Sequence, residues 1–344
     1  MARRTGEVVM ESPIFTDWSA KHSAVWGKVP LRLSHRLHQS ELFSRNTLAK
    51  LIESYPRDSY GLVHMGQQKD KRLWREGDMG GLSGHEVMEA IAQGRMWLNM
   101  YRVNQNDQRY KKLLDDIFEE VAVNVPGYVT SQRINGIIIS SPLAQVYYHF
   151  DPAGQSLWQI EGRKRVYLYP PVAPFLSETS LEHVALYHDE VGIKYEPWYD
   201  EFASVYDLEP GQMMHWPLNC PHRIENFDCV NISMTTEYYT DTIRRKSRLY
   251  TANGILRDKL GITPRGHAME GAGFFAKSVM QSAVQRLGLL EKGRKERRPI
   301  DFRLDKSRLG QIVDLAHDPA DLAAAANAKD PAPGKDAPGS IAAE

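Results

Sequence analysis

Between residues 136 and 238 the chain runs in short segments rich in β-branched and aromatic residues, each closed by a turn. That pattern restricts the fold more than anything else in its 344 residues. The segments 136–141, 145–151, 156–160, 165–169, 204–208 and 230–238 read as strands, and Gly162 sits in the tight turn between the third and the fourth. Strands this short, joined by turns, predict an antiparallel sandwich or barrel. Residues 171–200 interrupt the series as a long insertion.

Helical spacing flanks the strands. Residues 46–55 put Leu48, Leu51 and Ile52 on one face. Residues 84–93 begin after Ser83, with Glu86 three positions on, which is a capping-box pattern. A third helix at 108–123 follows a strand at 96–101, and the first ~35 residues look irregular. After residue 240 helix returns, and 273–290 set Phe275, Val279, Ala283 and Leu287 on one stripe. Such a stripe packs on its own core or on a second copy, so a homodimer through 273–290 is an open expectation. From Asp318 the chain is Ala, Pro, Asp, Lys and Gly with almost no large apolar side chain, and is expected to be disordered. The expected organisation is an irregular and helical region at 1–94, a β core at 95–240 carrying the 171–200 insertion, a helical C-terminal region at 241–317 and a tail at 318–344.

Charge is balanced overall, with 43 Lys and Arg against 43 Asp and Glu, but not locally. Residues 171–210 hold nine acids and one base, and residues 241–310 hold 17 bases and seven acids. Either the two regions face each other or solvent, or the acidic stretch receives a cationic substrate and the basic one an acidic partner. The bases are scattered without interleaved aromatic residues, which argues weakly for nucleic acid. Cys220 and Cys229 cannot build a disulfide framework or a cysteine zinc site. No apolar run resembles a signal peptide's core or reaches the ~18 residues of a membrane span, so a cytoplasmic protein with no membrane partner is expected.

The chemistry concentrates in Tyr148-His149-Phe150-Asp151. On a strand, residues i and i+2 share a face, so an imidazole and a carboxylate project together. They are two of the three ligands of a facial triad for non-haem Fe(II), which needs a second histidine from a neighbouring strand. His149 alone reads equally as a hydrogen-bonded histidine, and His188-Asp189 is a decoy of the same form in the insertion, without a strand pattern. Gly162-Arg163-Lys164 follows fifteen residues after His149. A hairpin of that length returns Lys164 beside the metal strand, where its ammonium would pair with the far carboxylate of a diacid; otherwise it is a solvated turn lysine.

Residues 208–226 then decide between these readings. Gly211, Pro217, His222 and Asn226 resemble the second cupin motif, with Asn219 where cupins prefer Gly. The run from Tyr148 to Pro171 resembles the first motif of the JmjC branch, with His-x-Asp in place of His-x-His. Over roughly residues 95–240 the chain resembles the JmjC-type, cupin-like Fe(II)/2-oxoglutarate dioxygenases, and is closest in layout to their asparaginyl hydroxylases. The resemblance implies a mainly β fold with flanking helices, built on a double-stranded β-helix (cupin or jelly-roll) core. It implies His149, Asp151 and His222 as iron ligands and Lys164 as the residue that holds 2-oxoglutarate, with O2 as the oxidant. Val146 falls where the family has a threonine assisting that lysine, and Trp97 where it has a cosubstrate-contacting tyrosine. Asn99 or Tyr147 would substitute, Gln155 falls at a substrate-proximal polar position, and Thr235 falls near the chelating end of the cosubstrate. The implied activity is hydroxylation of a protein or peptide side chain, or demethylation where the attacked carbon is an N-methyl. A small molecule or an RNA base as substrate, and a non-catalytic cupin-like binding protein, are the alternatives.

Overall fold

The computed structural model describes residues 13–65, 75–188, 192–264, 266–288 and 300–315. The first half holds α1 (Ala20–Val25), β1 (Leu31–Ser34), α2 (Arg45–Glu53), β2 (Tyr60–His64), β3 (Arg75–Asp78), α3 (Gly84–Gln93), β4 (Met96–Met100), α4 (Val103–Asn106) and α5 (Gln108–Asn124). Then come β5 (Ser131–Ser140), β6 (Gln145–His149), β7 (Gly154–Glu161), β8 (Lys164–Leu168), α6 (Glu178–Tyr187), β9 (Ser204–Leu208), β10 (Gln212–His215), β11 (His222–Asn226) and β12 (Asn231–Tyr239). The chain continues through α7 (Asp241–Gly254), which runs into a π-helical turn at Ile255–Lys259, and α8 (Gly271–Arg286), β13 (Ile300–Leu304) and β14 (Ile312–Asp314).

The strands from β5 to β12 divide between two antiparallel sheets. β10, β7, β12 and β5 lie side by side in one, and β6, β11, β8 and β9 form the other. Successive strands cross from one sheet to the other except at β8–β9, which makes a jelly roll, the double-stranded β-helix that the motifs imply. Period-two alternation gives each strand two roles. In β12, Ile232 and Met234 face the outer core with Ile137, Ile139 and Trp158. Ser233 and Thr235 turn the other way, into the space between the sheets. There Leu157 and Met214 of the large sheet meet Val166, Leu168 and Ile224 of the small one. The apolar stripes of α2, α3 and α5 cover the outer face of the large sheet. Asn226 donates to Ser140 Oγ and to the Ser141 carbonyl, both at 2.8 Å, and ties β11 to the end of β5.

The large sheet reaches beyond residues 95–240. β1 extends one edge, and β4, β2, β3, β13 and β14 extend the other, so residues expected to be irregular or helical contribute five further strands. They are short, and β3 reads Arg-Glu-Gly-Asp with no apolar residue, so local alternation gives no signal there. Their ladders come from pairing alone. The expected tail from residue 318 lies outside the described residues. α8 forms where the stripe predicts it but buries no residue, and Phe275, Val279 and Leu287 are exposed.

The 171–200 insertion packs on the outer face of the small sheet. Tyr148, Tyr169, Phe175, Leu176, Val184 and Tyr199 form its core. Arg223 on β11 latches it: the guanidinium lies 3.4 Å over the Tyr167 ring and pairs with Asp200 at 2.5 Å. Asp200 also accepts from the Tyr195 hydroxyl at 2.9 Å. Tyr195 and Tyr199 are therefore packed, which disfavours a mobile lid. Replacing Arg223 by Met is expected to destabilise the protein by about 1–3 kcal/mol, between the values for exposed and buried pairs. It should also bring early cleavage within residues 171–203. Urea unfolding with limited proteolysis checks this, and an unchanged midpoint and digestion pattern would contradict it.

Candidate metal centre

His149 closes β6 and His222 opens β11, and the two are direct partners across the antiparallel pair. Their rings lie 4.2 Å apart, centroid to centroid. The register depends on a bulge. Ile224 faces Val146 and His222 faces His149, so three steps on β6 match two on β11. Without the extra residue, Val146 and His149 would point to opposite faces. With it, Val146 packs against the inter-sheet core while His149 faces His222.

Each ring is fixed through its second nitrogen. His149 Nδ1 lies 2.7 Å from the Tyr147 carbonyl, and His222 Nδ1 lies 3.0 Å from the Cys220 carbonyl. A carbonyl only accepts, so both Nδ1 atoms carry the proton, and a neutral ring in either place leaves its lone pair on Nε2. Those lone pairs face Asp151: His222 Nε2 is 3.4 Å from Oδ2 and His149 Nε2 is 3.9 Å from Oδ1. Burial, with His149 close by, holds the His222 pKa well below the usual histidine value, so its ring stays neutral. The three ligand atoms lie within 4.8 Å of one another, and this is the one group among the described residues able to hold a metal ion in this way. Two neutral imidazoles and a carboxylate on one side suit a divalent first-row metal with positions left open.

Gln155 has a part that its sequence position does not reveal. With its nitrogen turned toward the carboxylate, the side-chain amide donates to Asp151 Oδ1 at 3.2 Å and to Oδ2. It thus orients the acid, which no strand otherwise holds. Tyr147 contributes its carbonyl to His149, a backbone role that no residue type signals. Asn219, where cupins prefer Gly, has φ +61°, a conformation that glycine adopts freely and asparagine tolerates.

Lys164 opens β8 and shares a face with Val166 and Leu168, so it points between the sheets. It is 3% exposed, and no ion pair reaches it among the described residues. Burial pushes its pKa down to about 7. The turn that delivers it needs Gly162, with φ +75°, because a Cβ there would collide with the Val230 carbonyl. Thr235 and Asn99 meet at another glycine on the same inner face: a Cβ on Gly136 would lie 3.1 Å from Thr235 Oγ1 and 3.5 Å from Asn99 Oδ1. Trp97 packs with Val63, Met65 and Ala144.

The discounted histidines stand apart. His188 is exposed at the end of α6. His215 is buried on the outer face of the large sheet, stacked on Trp26 at 4.0 Å and bonded to the Gln155 carbonyl at 2.8 Å. Its pKa is pushed down to about 4 by burial, as befits a structural imidazole.

No family model matches the chain, and no curated protein matches it. Solved structures do. The X-ray structure of E. coli ycfD is similar over 82% of this chain and 70% of that chain, at 16% identity and TM-score 0.48. A structure of YcfD, described as a ribosomal oxygenase from Escherichia coli in complex with cobalt and 2-oxoglutarate, is similar over 88% of this chain and 86% of that chain, at 17% identity and TM-score 0.44.

Removing a ligand tests the cluster directly. His149→Ala and His222→Ala are each expected to weaken Mn(II) or Co(II) binding by more than about 100-fold, the upper range for loss of an outer-sphere partner. His188→Ala should bind as the parent does. Calorimetric titration of the metals measures both, and equal affinity in all three variants would refute the assignment.

Proposed function

We propose that the protein is an Fe(II)- and 2-oxoglutarate-dependent oxygenase of the JmjC type that hydroxylates a protein or peptide side chain. One observation carries this reading: a two-histidine, one-carboxylate cluster and a buried, unpaired ammonium occupy the same jelly-roll interior. On β11, His222 faces Leu168 and Asn226 faces Lys164 of β8. The lysine therefore starts ~13 Å along the strand from the metal end. Its own four-carbon stem and a five-carbon diacid divide that gap between them.

The donor set fits ferrous iron, and an unpaired buried ammonium fits a diacid's far carboxylate. When bound, iron and 2-oxoglutarate supply the oxidation, with succinate and CO2 released and one oxygen atom of O2 delivered to a substrate C–H. In this reading His149, Asp151 and His222 hold the metal on one side and leave the other open. Gln155 keeps the Asp151 carboxylate turned toward the two Nε2 atoms. Lys164 binds and orients the cosubstrate. Thr235 and Asn99 offer polar contacts on the inner face, where Val146 offers none, and Tyr147 is a candidate for the same role. Leu157, Val166 and Trp216 keep the interior dry, which strengthens every polar contact made there.

Purified protein with Fe(II) and 2-oxoglutarate is expected to form succinate, and His149→Ala to form none while His188→Ala retains turnover. Succinate at the parental rate from His149→Ala would sink the proposal.

The lysine generates a separate expectation. With its pKa near 7 in the free protein, the amine is largely neutral above that pH. A bound carboxylate favours the ammonium, so binding takes up a proton. Affinity for 2-oxoglutarate should then fall as pH rises from 7 to 9, by up to about tenfold per unit. Calorimetry with Mn(II) in buffers of different ionisation enthalpy reads the proton. A pH-independent affinity without proton uptake would show that Lys164 does not face the cosubstrate.

A further inference from the structure

A shallow cleft, open to solvent, lies between α6, α7 and the rim of the metal centre. Phe150 and Pro152 in its wall flank Asp151, while Leu218 and Asn219 belong to the turn that leads into His222. A group seated there rests against the backbone that carries two of the three triad residues. Leu181 and Ile243 complete the apolar wall.

The remaining wall is polar and unengaged. Asn219, Lys246, Ser247 and Tyr250 line it, and among the described residues none of their side chains makes a hydrogen bond or ion pair. α7 adds to the positive charge. Arg244 has its buried Nε without a partner, whereas the exposed Arg248 lies about 140° around the helix from Ile243, away from the cleft. Arg245 alone is balanced, by Asp241 at 2.9 Å. The acids of α6 offset part of this charge: Glu182 pairs with Arg257 and Glu178 faces His267, and burial together with these two carboxylates raises the Tyr250 pKa.

We propose that this cleft is the recognition subsite for the substrate, taking a peptide segment in which an apolar side chain is followed by an acidic residue. The inference rests on the oxygenase reading above. The apolar side chain enters between Phe150, Leu181 and Ile243, where burial of its surface favours binding. The neighbouring carboxylate pairs with Lys246 and accepts from the Ser247 and Tyr250 hydroxyls. These are charge-assisted bonds to groups that lack other partners. A basic residue in the same place would face an unpaired ammonium. RNA would match the cations of α7 but not the apolar wall, which presents no row of aromatic faces.

The probes are two capped, fluorescein-labelled hexapeptides with Leu-Glu or Leu-Lys at the centre, titrated into the full chain loaded with Mn(II) and 2-oxoglutarate. Fluorescence polarisation should show the Leu-Glu peptide binding about tenfold more tightly, the scale of one charge-assisted bond. Paramagnetic broadening of its leucine methyl signals by Mn(II) should place it beside the metal. Lys246→Gln should remove the preference and Lys246→Glu should invert it. Equal binding of the two peptides by the parent would overturn the proposal, as would a Leu-Glu preference surviving in Lys246→Glu. So would displacement of the Leu-Glu peptide by single-stranded RNA with a steep salt dependence. The oxygenase reading is decided separately, by Mn(II) and 2-oxoglutarate titrations that contain no peptide.

Discussion

The pairing of β6 with β11 governs the centre. It sets His149 opposite His222, and a single extra residue in β6 decides that both rings face inward. Backbone carbonyls then fix the tautomers, so both lone pairs are aimed before any ligand arrives. The energetic logic is that of a preorganised site. Burying neutral imidazoles costs far less than burying charged ones, and the low pKa of His222 keeps its ring neutral at any physiological pH. Asp151 is the one anion of the group, and it lies past the end of the strand, where the amide of Gln155 replaces the restraint that a ladder would give.

Lys164 is the counterweight. Holding an amine between two sheets without a carboxylate disfavours the ammonium, and a pKa lowered from 10.5 to about 7 corresponds to a penalty on the order of 5 kcal/mol. A protein selected for stability alone would replace such a residue with an apolar one, as buried ion pairs themselves can be replaced without loss. Its presence makes sense where an anion completes the pair. The same logic explains the surroundings of Gly136, where Thr235 and Asn99 turn polar atoms inward that an apolar core would not contain.

Much of this was legible in the sequence, and the exceptions have physical causes. α2, α3 and α5 follow their apolar stripes to within a few residues, and the Ser83–Glu86 capping box forms as its spacing predicts. Six of the eight jelly-roll strands announce themselves because each carries several apolar or β-branched residues, while β10 and β11, reading Gln-Met-Met-His and His-Arg-Ile-Glu-Asn, are marked only by the motif that contains them. His149, Asp151 and His222 come together because strand period and motif spacing are local rules, even though the residues are far apart along the chain. β3 and β14 escaped notice because three or four residues hold less than two full periods. The β6 bulge leaves no compositional mark, since Val146, Tyr147 and Tyr148 all suit a strand. The contact of Gln155 with Asp151 depends on the path of the chain between β6 and β7, which residue type does not encode.

Charge gives the clearest case of tertiary structure reversing a sequence impression. The acid-rich stretch 171–210 looks like a receptor for cations, yet three of its acids meet bases from elsewhere in the chain. Glu182 meets Arg257 at 2.6 Å, Asp200 meets Arg223, and Asp207 meets Arg165 at 2.7 Å. Two of these contacts fasten the insertion to β11 and to the turn after α7, and the third ties β9 to β8, so the acidic and basic regions do face each other in part. Among the described residues, the cation that stays unpaired in the cleft is Lys246. Net charge counted along a chain ignores which side chains meet, and here three of the nine acids are matched by Arg257, Arg223 and Arg165. On the reading proposed above, discrimination at that rim falls to Lys246 of α7 rather than to the insertion.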